Sequence, residues 1–211
     1  MIDAAVTIRP DTAERHKHKY HNGNALHRAM LKRFFDLVAR EVARLECATT
    51  LDFGCGEAFF WQEVRNRVDL AGNITGIDLR AEALSIATQT HPEIMFLQQD
   101  ILLWEPQHKS ELVVASQVLE HLVDPGRFLG RLCEVSSRYL LLTVPWEPLF
   151  MLCNLARGRD LMRFGNHPEH INHWGRRSFE AFVSEHAHIE KSIACFPFLI
   201  IVARPLLRHD Q

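Results

Sequence analysis

Hydrophobic and polar positions change rhythm several times along this chain. Residues 1–23 show no apolar period; they are polar and charged, with the run Arg15-His16-Lys17-His18-Lys19-Tyr20-His21, and are expected to form a loosely ordered arm. From Asn24 onward Leu26, Met30, Phe34, Leu37, Val38, Val42 and Leu45 recur at helical spacing. That pattern predicts an amphipathic helix through about Leu45. Short apolar runs and helical periods then alternate. Strands are predicted at Thr49–Phe53, Asn73–Leu79, Ile94–Gln98, Glu111–Ser116 and Arg138–Val144, and helices at Glu57–Val68, Ala81–Thr90 and Pro125–Ser136. The second of these helices stops at His91-Pro92, because proline has no amide hydrogen with which to continue it.

The alternation of strands with helices of about ten residues or more indicates βαβ units and a parallel sheet covered on both faces. After Pro145 the rhythm stalls over Trp146–Trp174. Within that insertion Leu149, Phe150, Leu152 and Leu155 precede the polar turn Arg157-Gly158-Arg159-Asp160, and Leu161, Met162 and Phe164 follow it. It reads as two short amphipathic helices placed after the fifth strand, on the side of the sheet where ligands bind. We read it as a lid that builds a pocket and excludes water; a helical hairpin covering the sheet edge is the plainer, compatible reading. A helix at Arg176–His186 and strands at Ile189–Cys195 and Phe198–Ala203 close the chain. Only Pro197 and its neighbours separate those two strands, so they must be antiparallel. The expected architecture is an α/β domain over 24–211, preceded by the arm.

Composition agrees with one domain and narrows the partners. The chain has 211 residues, 47% of them hydrophobic, and a formal charge of −2. It lacks the basic surplus expected where nucleic acid is the main partner. Cys47, Cys55, Cys133, Cys153 and Cys195 are scattered, odd in number and without a C-x-x-C pair, so neither a disulfide framework nor a zinc motif is expected. No run approaches the ~20 apolar residues of a membrane span, and Met1–Pro10 lacks the pattern of a signal peptide. The expected setting is the cytoplasm, with a monomer or homodimer as the assembly.

The most informative segment is Leu51-Asp52-Phe53-Gly54-Cys55-Gly56-Glu57, at a strand-to-helix turn in the first βαβ unit. Open α/β sheets bind ligands at such turns. Gly54 and Gly56 allow a sharp turn and a close backbone approach. Asp78 ends the next strand 22 residues beyond Gly56, where a carboxylate can take hydrogen bonds from ribose hydroxyls. A nucleoside cofactor follows. The third glycine of a dinucleotide fingerprint is missing, its place held by Phe59, and a carboxylate, Asp52, precedes the turn. An acidic loop suits a cofactor with an ammonium group and a sulfonium better than one with a diphosphate.

On these residues the chain resembles the class I S-adenosylmethionine (SAM) dependent methyltransferases, particularly the type 11 group of small bacterial enzymes. The matching pieces are LDFGCG at 51–56, GIDL at 76–79, QQDI at 98–101, the run ending QVLEHLVDP at 117–125, and LLLTVP at 140–145. Glu111 departs from the pattern, where Asp is commoner. The resemblance implies a Rossmann-like, mostly parallel seven-stranded sheet with an antiparallel closing strand, and SAM as cofactor. It implies that Gly54, Cys55 and Gly56 lie under the cofactor, Asp52 faces its ammonium group, and Asp78 with Leu79 holds the ribose side. Asp100 and Ile101 would flank the adenine, Ser116 and Gln117 would line the methyl end, and Tyr20 would close over the site.

Histidines supply the remaining candidates. His121 lies just after the fourth strand in Leu119-Glu120-His121-Leu122, and His167, His170 and His173 recur every third residue in the insertion. Three readings stand side by side. The segment packs the insertion onto the sheet; or His121, His170 or His173 serves as general base, which needs a pKa near the working pH; or Glu120, His121, His170 and His173 bind a metal. The last resembles RNA 3′-terminal 2′-O-methyltransferases, although Gln117 stands where those enzymes place a first glutamate, and an amide is a poorer ligand. The function expected is methyl transfer to a small-molecule acceptor, most simply an oxygen of a partly apolar metabolite or sugar. A nicotinamide oxidoreductase and a SAM-binding protein without catalysis are the rivals.

Overall fold

A computed structural model describes residues 25–147 and 171–206 of the chain. In order, the elements are α1 (Ala25–Leu45), β1 (Thr49–Phe53), α2 (Phe59–Arg65), β2 (Asn73–Asp78), α3 (Ala81–Thr90), β3 (Met95–Gln98) and β4 (Ser110–Ser116). A 3₁₀ turn at Leu119–His121 follows, then α4 (Pro125–Val135), β5 (Ser136–Pro145), α5 (Arg176–Ser184), β6 (Ala187–Cys195) and β7 (Phe198–Pro205). The strands form one sheet in the order β3-β2-β1-β4-β5-β7-β6. Pairs among β1 to β5 are parallel; β7 runs antiparallel to both β5 and β6. The reversed strand is therefore the last in sequence but sits one place in from the sheet edge. The short Phe196-Pro197 connection makes β6 and β7 antiparallel neighbours, and β7 takes the place next to β5.

The central strands are apolar on both sides, as a sheet covered on both faces requires. On one face Leu51, Phe53, Val113, Ala115, Leu140 and Leu142 meet Leu129 and Leu132 of α4 and Phe179 and Val183 of α5. On the other, Leu112, Val114, Leu141, Ile200 and Val202 meet Phe34, Phe35, Val38 and Val42 of α1 and Phe60, Trp61 and Val64 of α2. Successive residues of a strand alternate between the two clusters, the period-two pattern of a pleated strand. A buried carboxylate ties the second layer to the sheet edge: Glu41 of α1 pairs with Lys191 of β6 and with Arg44 at 2.9 Å.

The elements agree with their sequence expectations in kind and order. Helix α2, expected over Glu57–Val68, is found over Phe59–Arg65, and its start is set by the turn before it. The cause is local. The chain leaves β1 through three left-handed residues, Gly54 (φ 76°), Gly56 (φ 55°) and Ala58 (φ 60°), and helical geometry starts only after the last. Helix α4 begins where expected, since the Asp124 side chain accepts from Arg127 N at 2.9 Å and Pro125 takes the first turn. Among the described residues no helix is long and apolar enough to cross a membrane.

Candidate cofactor and acceptor site

Strand order reverses direction of growth between β1 and β4, and the loops at their carboxyl ends meet there. Gly54 N donates to Ile77 O at 2.8 Å and Cys55 N to the same oxygen at 3.2 Å, which folds the glycine turn over the end of β2. The absence of side chains at the turn is a geometric requirement. A Cβ on Gly54 would stand 2.6 Å from Val118 Cγ2, closer than side chains tolerate, and its φ disfavours any L side chain. The Cys55 side chain is buried on the underside against β2, where Gly76 leaves room: a Cβ there would lie 2.8 Å from Cys55 Sγ. Burial, with the nearby Asp52 and Asp78 charges, drives the thiol far up from its usual range, so it is inert.

Two carboxylates flank the turn and sit in different environments. Asp78, at the end of β2, accepts from Gly56 N at 2.9 Å and from Arg80 N at 2.9 Å. The Arg80 guanidinium adds Nε at 3.1 Å and Nη2 at 3.2 Å. Asp52 lies below the turn, 2% exposed, and accepts from Trp61 Nε1 of α2 at 2.9 Å. Burial pushes its pKa up to about 7; the Trp61 hydrogen bond opposes this and the Asp78 charge adds to it. The same acidic turn thus offers one carboxylate held by backbone amides and a guanidinium and one, buried on Trp61, that gains or loses a proton near neutrality.

The next loop lies beyond β3. Asp100 caps a turn, accepting Leu102 N on Oδ1 at 2.9 Å and Trp104 N on its carbonyl at 2.8 Å. Arg131 of α4 holds that turn from outside, donating to Ile101 O at 3.3 Å and Trp104 O at 2.5 Å. Ile101 is buried in the core, whereas Leu79 after β2 is half exposed, with its carbonyl held by Gln98 Nε2 at 3.0 Å.

On the other side of the turn, β4 ends in Ser116 and Gln117. Ser116 Oγ and Thr143 Oγ1 lie 2.9 Å apart, and Gln117 donates to Thr143 through its backbone at 2.9 Å and through Nε2 at 3.1 Å. Gln117 has φ 58°, an uncommon conformation for a residue other than glycine and one associated with functional turns. His121 follows, half-buried, its Nε2 3.9 Å from Glu120 Oε1, and Glu120 itself is buried. The segment returning from the insertion docks here: Ile171 N and Asn172 N donate to Glu120 O at 2.8 and 3.0 Å. Asn172 Nδ2 donates to Leu119 O at 3.0 Å and Leu122 O at 2.6 Å. The segment bearing His173 is thereby pinned to the one bearing His121. Glu147 N donates to Trp174 O at 2.8 Å, so the chain leaves for the insertion and re-enters the fold at one place.

The residues expected from sequence thus fall at or just beyond the carboxyl ends of neighbouring strands: Asp52, Gly54, Cys55, Gly56, Asp78 and Leu79 at the first two, Asp100 and Ile101 at the third, Ser116, Gln117 and His121 at the fourth. Tyr20, His170 and the body of the expected lid lie outside the described residues. Among the described residues no three His, Cys, Asp or Glu side chains group to hold a metal ion. Sequence reasoning did not single out Trp61, Arg80, Val118, Thr143 or Asn172. Val118 and Thr143 stood inside motifs quoted above, and Arg80 stands two residues past Asp78; Trp61 and Asn172 carry no signal apart from their contacts.

Comparison with known proteins agrees with this arrangement. Residues 23–186 match a family model described as a methyltransferase domain. A trans-aconitate 2-methyltransferase of Azoarcus sp. (strain BH72) is 33% identical over 97 residues, 46% of this chain and 38% of that protein. A ubiquinone biosynthesis O-methyltransferase of Bradyrhizobium sp. (strain ORS 278) is 28% identical over 107 residues, 49% of this chain and 41% of that one. The matched stretches therefore span less than half of those relatives. In fold, the chain is similar to the crystal structure of magnesium protoporphyrin IX methyltransferase from Synechocystis PCC 6803 with bound S-adenosylhomocysteine (SAH). The TM-score is 0.67 at 17% identity, covering 92% of this chain and 93% of that one.

Proposed function

The chain belongs to the methyltransferase-domain family, which uses S-adenosylmethionine, and from that premise we propose that it transfers the methyl group of SAM to a small-molecule acceptor. The acceptor atom proposed is an oxygen, on a partly apolar metabolite or sugar. Two of the proteins it resembles are named for trans-aconitate and for ubiquinone biosynthesis, and the net charge of −2 gives no electrostatic draw toward nucleic acid.

The observation that carries the reading is the pairing of Asp78 with Gly56. A backbone amide of the glycine turn fixes the carboxylate at 2.9 Å, so the cradle and the ribose acceptor are one rigid unit. In this reading Gly54 and Gly56 underlie the cofactor's amino-acid tail, and Asp52 is the buried negative group nearest its ammonium. Leu79, Asp100 and Ile101 border the adenine. Ser116 and Gln117, braced on Thr143, line the methyl end. Bound SAM supplies an already activated methyl on a sulfonium. The chain's own part is then alignment of the acceptor in a dry crevice, which can be worth on the order of 7–11 kcal/mol. A hydroxyl acceptor must also lose a proton, and His121 or His173, with His170 of the insertion, are the bases we propose.

Calorimetric titration with SAM and SAH tests the cofactor assignment. Micromolar binding that Asp78→Ala abolishes is expected; binding of neither compound would overturn it. An acceptor screen with labelled methyl follows, in which His121→Asn should bind SAH as before and lose about a hundredfold or more in turnover. Unchanged turnover would remove His121 from the base role.

A further inference from the structure

Asp78 is fully subscribed. An ionised carboxylate offers about four acceptor positions, and here Oδ2 takes Gly56 N and Arg80 Nη2 while Oδ1 takes Arg80 N and Arg80 Nε. Two of the four donors are backbone amides that belong to the turn and to the start of α3; neither can leave without unfolding the crevice. The other two form the fork of one guanidinium, a bidentate pairing of the stronger kind. The same guanidinium overhangs the cradle: its Nη2 lies 3.3 Å from where a Cβ on Gly56 would stand.

Resting on the reading of Asp78 as the ribose carboxylate, we infer that Arg80 is a specificity- and affinity-setting residue that competes with the cofactor's ribose hydroxyls for Asp78. The ribose diol and the Arg80 fork present the same pair of donors to the same two oxygens. Binding therefore requires the fork to open. The side chain has somewhere to go: Asp78 is buried, but the Arg80 side chain is 31% exposed at the amino end of α3 and makes no capping bond there. Glu57, already within its electrostatic reach, is the next carboxylate along. The exchange lowers the affinity for any ligand bearing the diol, SAM and SAH alike, and eases departure of the product, since the fork closes on Asp78 again as the ribose leaves. A ligand that does not engage Asp78 is untouched by it.

The test is titration of SAH, and of an SAH analogue lacking both ribose hydroxyls, into wild type, Arg80→Met, Arg80→Lys and Asp78→Ala, with thermal unfolding to check that each folds. Arg80→Met keeps the two backbone donors on Asp78 and removes the fork. It should bind SAH about tenfold more tightly than wild type, as expected when about a tenth of the wild-type molecules are competent. Arg80→Lys, a cation without the fork, should fall between. The dideoxy analogue should bind wild type and Arg80→Met equally. Equal or weaker SAH binding by a folded Arg80→Met overturns the competition, as does an equal gain for the dideoxy analogue. Full SAH binding by Asp78→Ala overturns instead the ribose assignment beneath it.

Discussion

Val118 Cγ2 fills the space in which a Gly54 side chain would begin, 2.6 Å from the ideal Cβ position. The contact joins the carboxyl ends of β1 and β4, the two strands between which the sheet changes its direction of growth. The cradle and the methyl-end segment are thus packed on each other directly, and Gln117, strained at φ 58°, delivers Val118 to that place.

Gly54→Ala should therefore lose SAH binding and cost about 1–3 kcal/mol of stability, from a strained left-handed backbone plus the clash. The two causes separate in a double-mutant cycle. Adding Val118→Ala to Gly54→Ala should recover the part due to crowding and leave the part due to φ 76°. Thermal unfolding of the four proteins reads this out. Strict additivity of the two single mutations would show that Val118 does not press on the turn.

Asn172 secures the return of the insertion by donating to the carbonyls of both Leu119 and Leu122. Asn172→Ala leaves two acceptors without their amide, a loss of about 1–3 kcal/mol. In a chain of this size that lowers the melting temperature by about 2–4 °C per kcal/mol. Because the cofactor cradle is built from other strands, SAH affinity should stay within about twofold of wild type. A tenfold loss of SAH affinity would mean that the 171–174 segment supports the cofactor rather than the acceptor side.

The succession of elements along the chain, the antiparallel closing pair and the glycine turn were legible because each rests on a short-range signal. Continuous apolar runs mark β4 and β5, the tight Phe196-Pro197 connection forces β6 and β7 antiparallel, and paired glycines with an acid 22 residues on mark the turn. What was not legible depends on contacts between residues far apart in sequence. That β7 inserts between β5 and β6 is decided by packing, not by local pattern. That Ala58 takes a left-handed turn and delays α2 follows from the geometry of the whole glycine loop. The partners Trp61 on Asp52 and Thr143 on Gln117 have ordinary core side chains, so nothing in their identity announces a site role. Arg80 was in plain view beside Asp78, yet only the distances reveal that it saturates the carboxylate.

Asp52 gives the protein an unusual dependence of stability on pH. Its folded-state pKa, raised by burial to about 7, lies above the 3.8 of an ordinary aspartate. Between those values the unfolded chain has released the proton and the folded chain still holds it. The folded state then binds more protons, and stability falls as pH rises through that window. The contribution is fully present below about 3.8 and spent above about 7. Glu41 acts in the opposite sense. Burial raises its pKa, but Lys191 and Arg44 outweigh that and hold it below 4.5, so its contribution is lost as pH falls. Wild type should therefore be most stable on the acid side of neutrality, losing a few kcal/mol between about pH 5 and pH 8. Asp52→Asn removes the titration while its amide oxygen can still accept from Trp61. Urea unfolding at several pH values should show that the variant's stability is nearly flat over this range and exceeds that of wild type at about pH 8. If cofactor binding places an ammonium group over Asp52, it must also lower this pKa and expel a proton. SAM titrations near pH 6 in buffers of different ionisation enthalpy should reveal that proton in wild type and not in Asp52→Asn. Parallel stability profiles for the two proteins would mean that Asp52 stays ionised beneath the turn, and would remove it as the source of both effects.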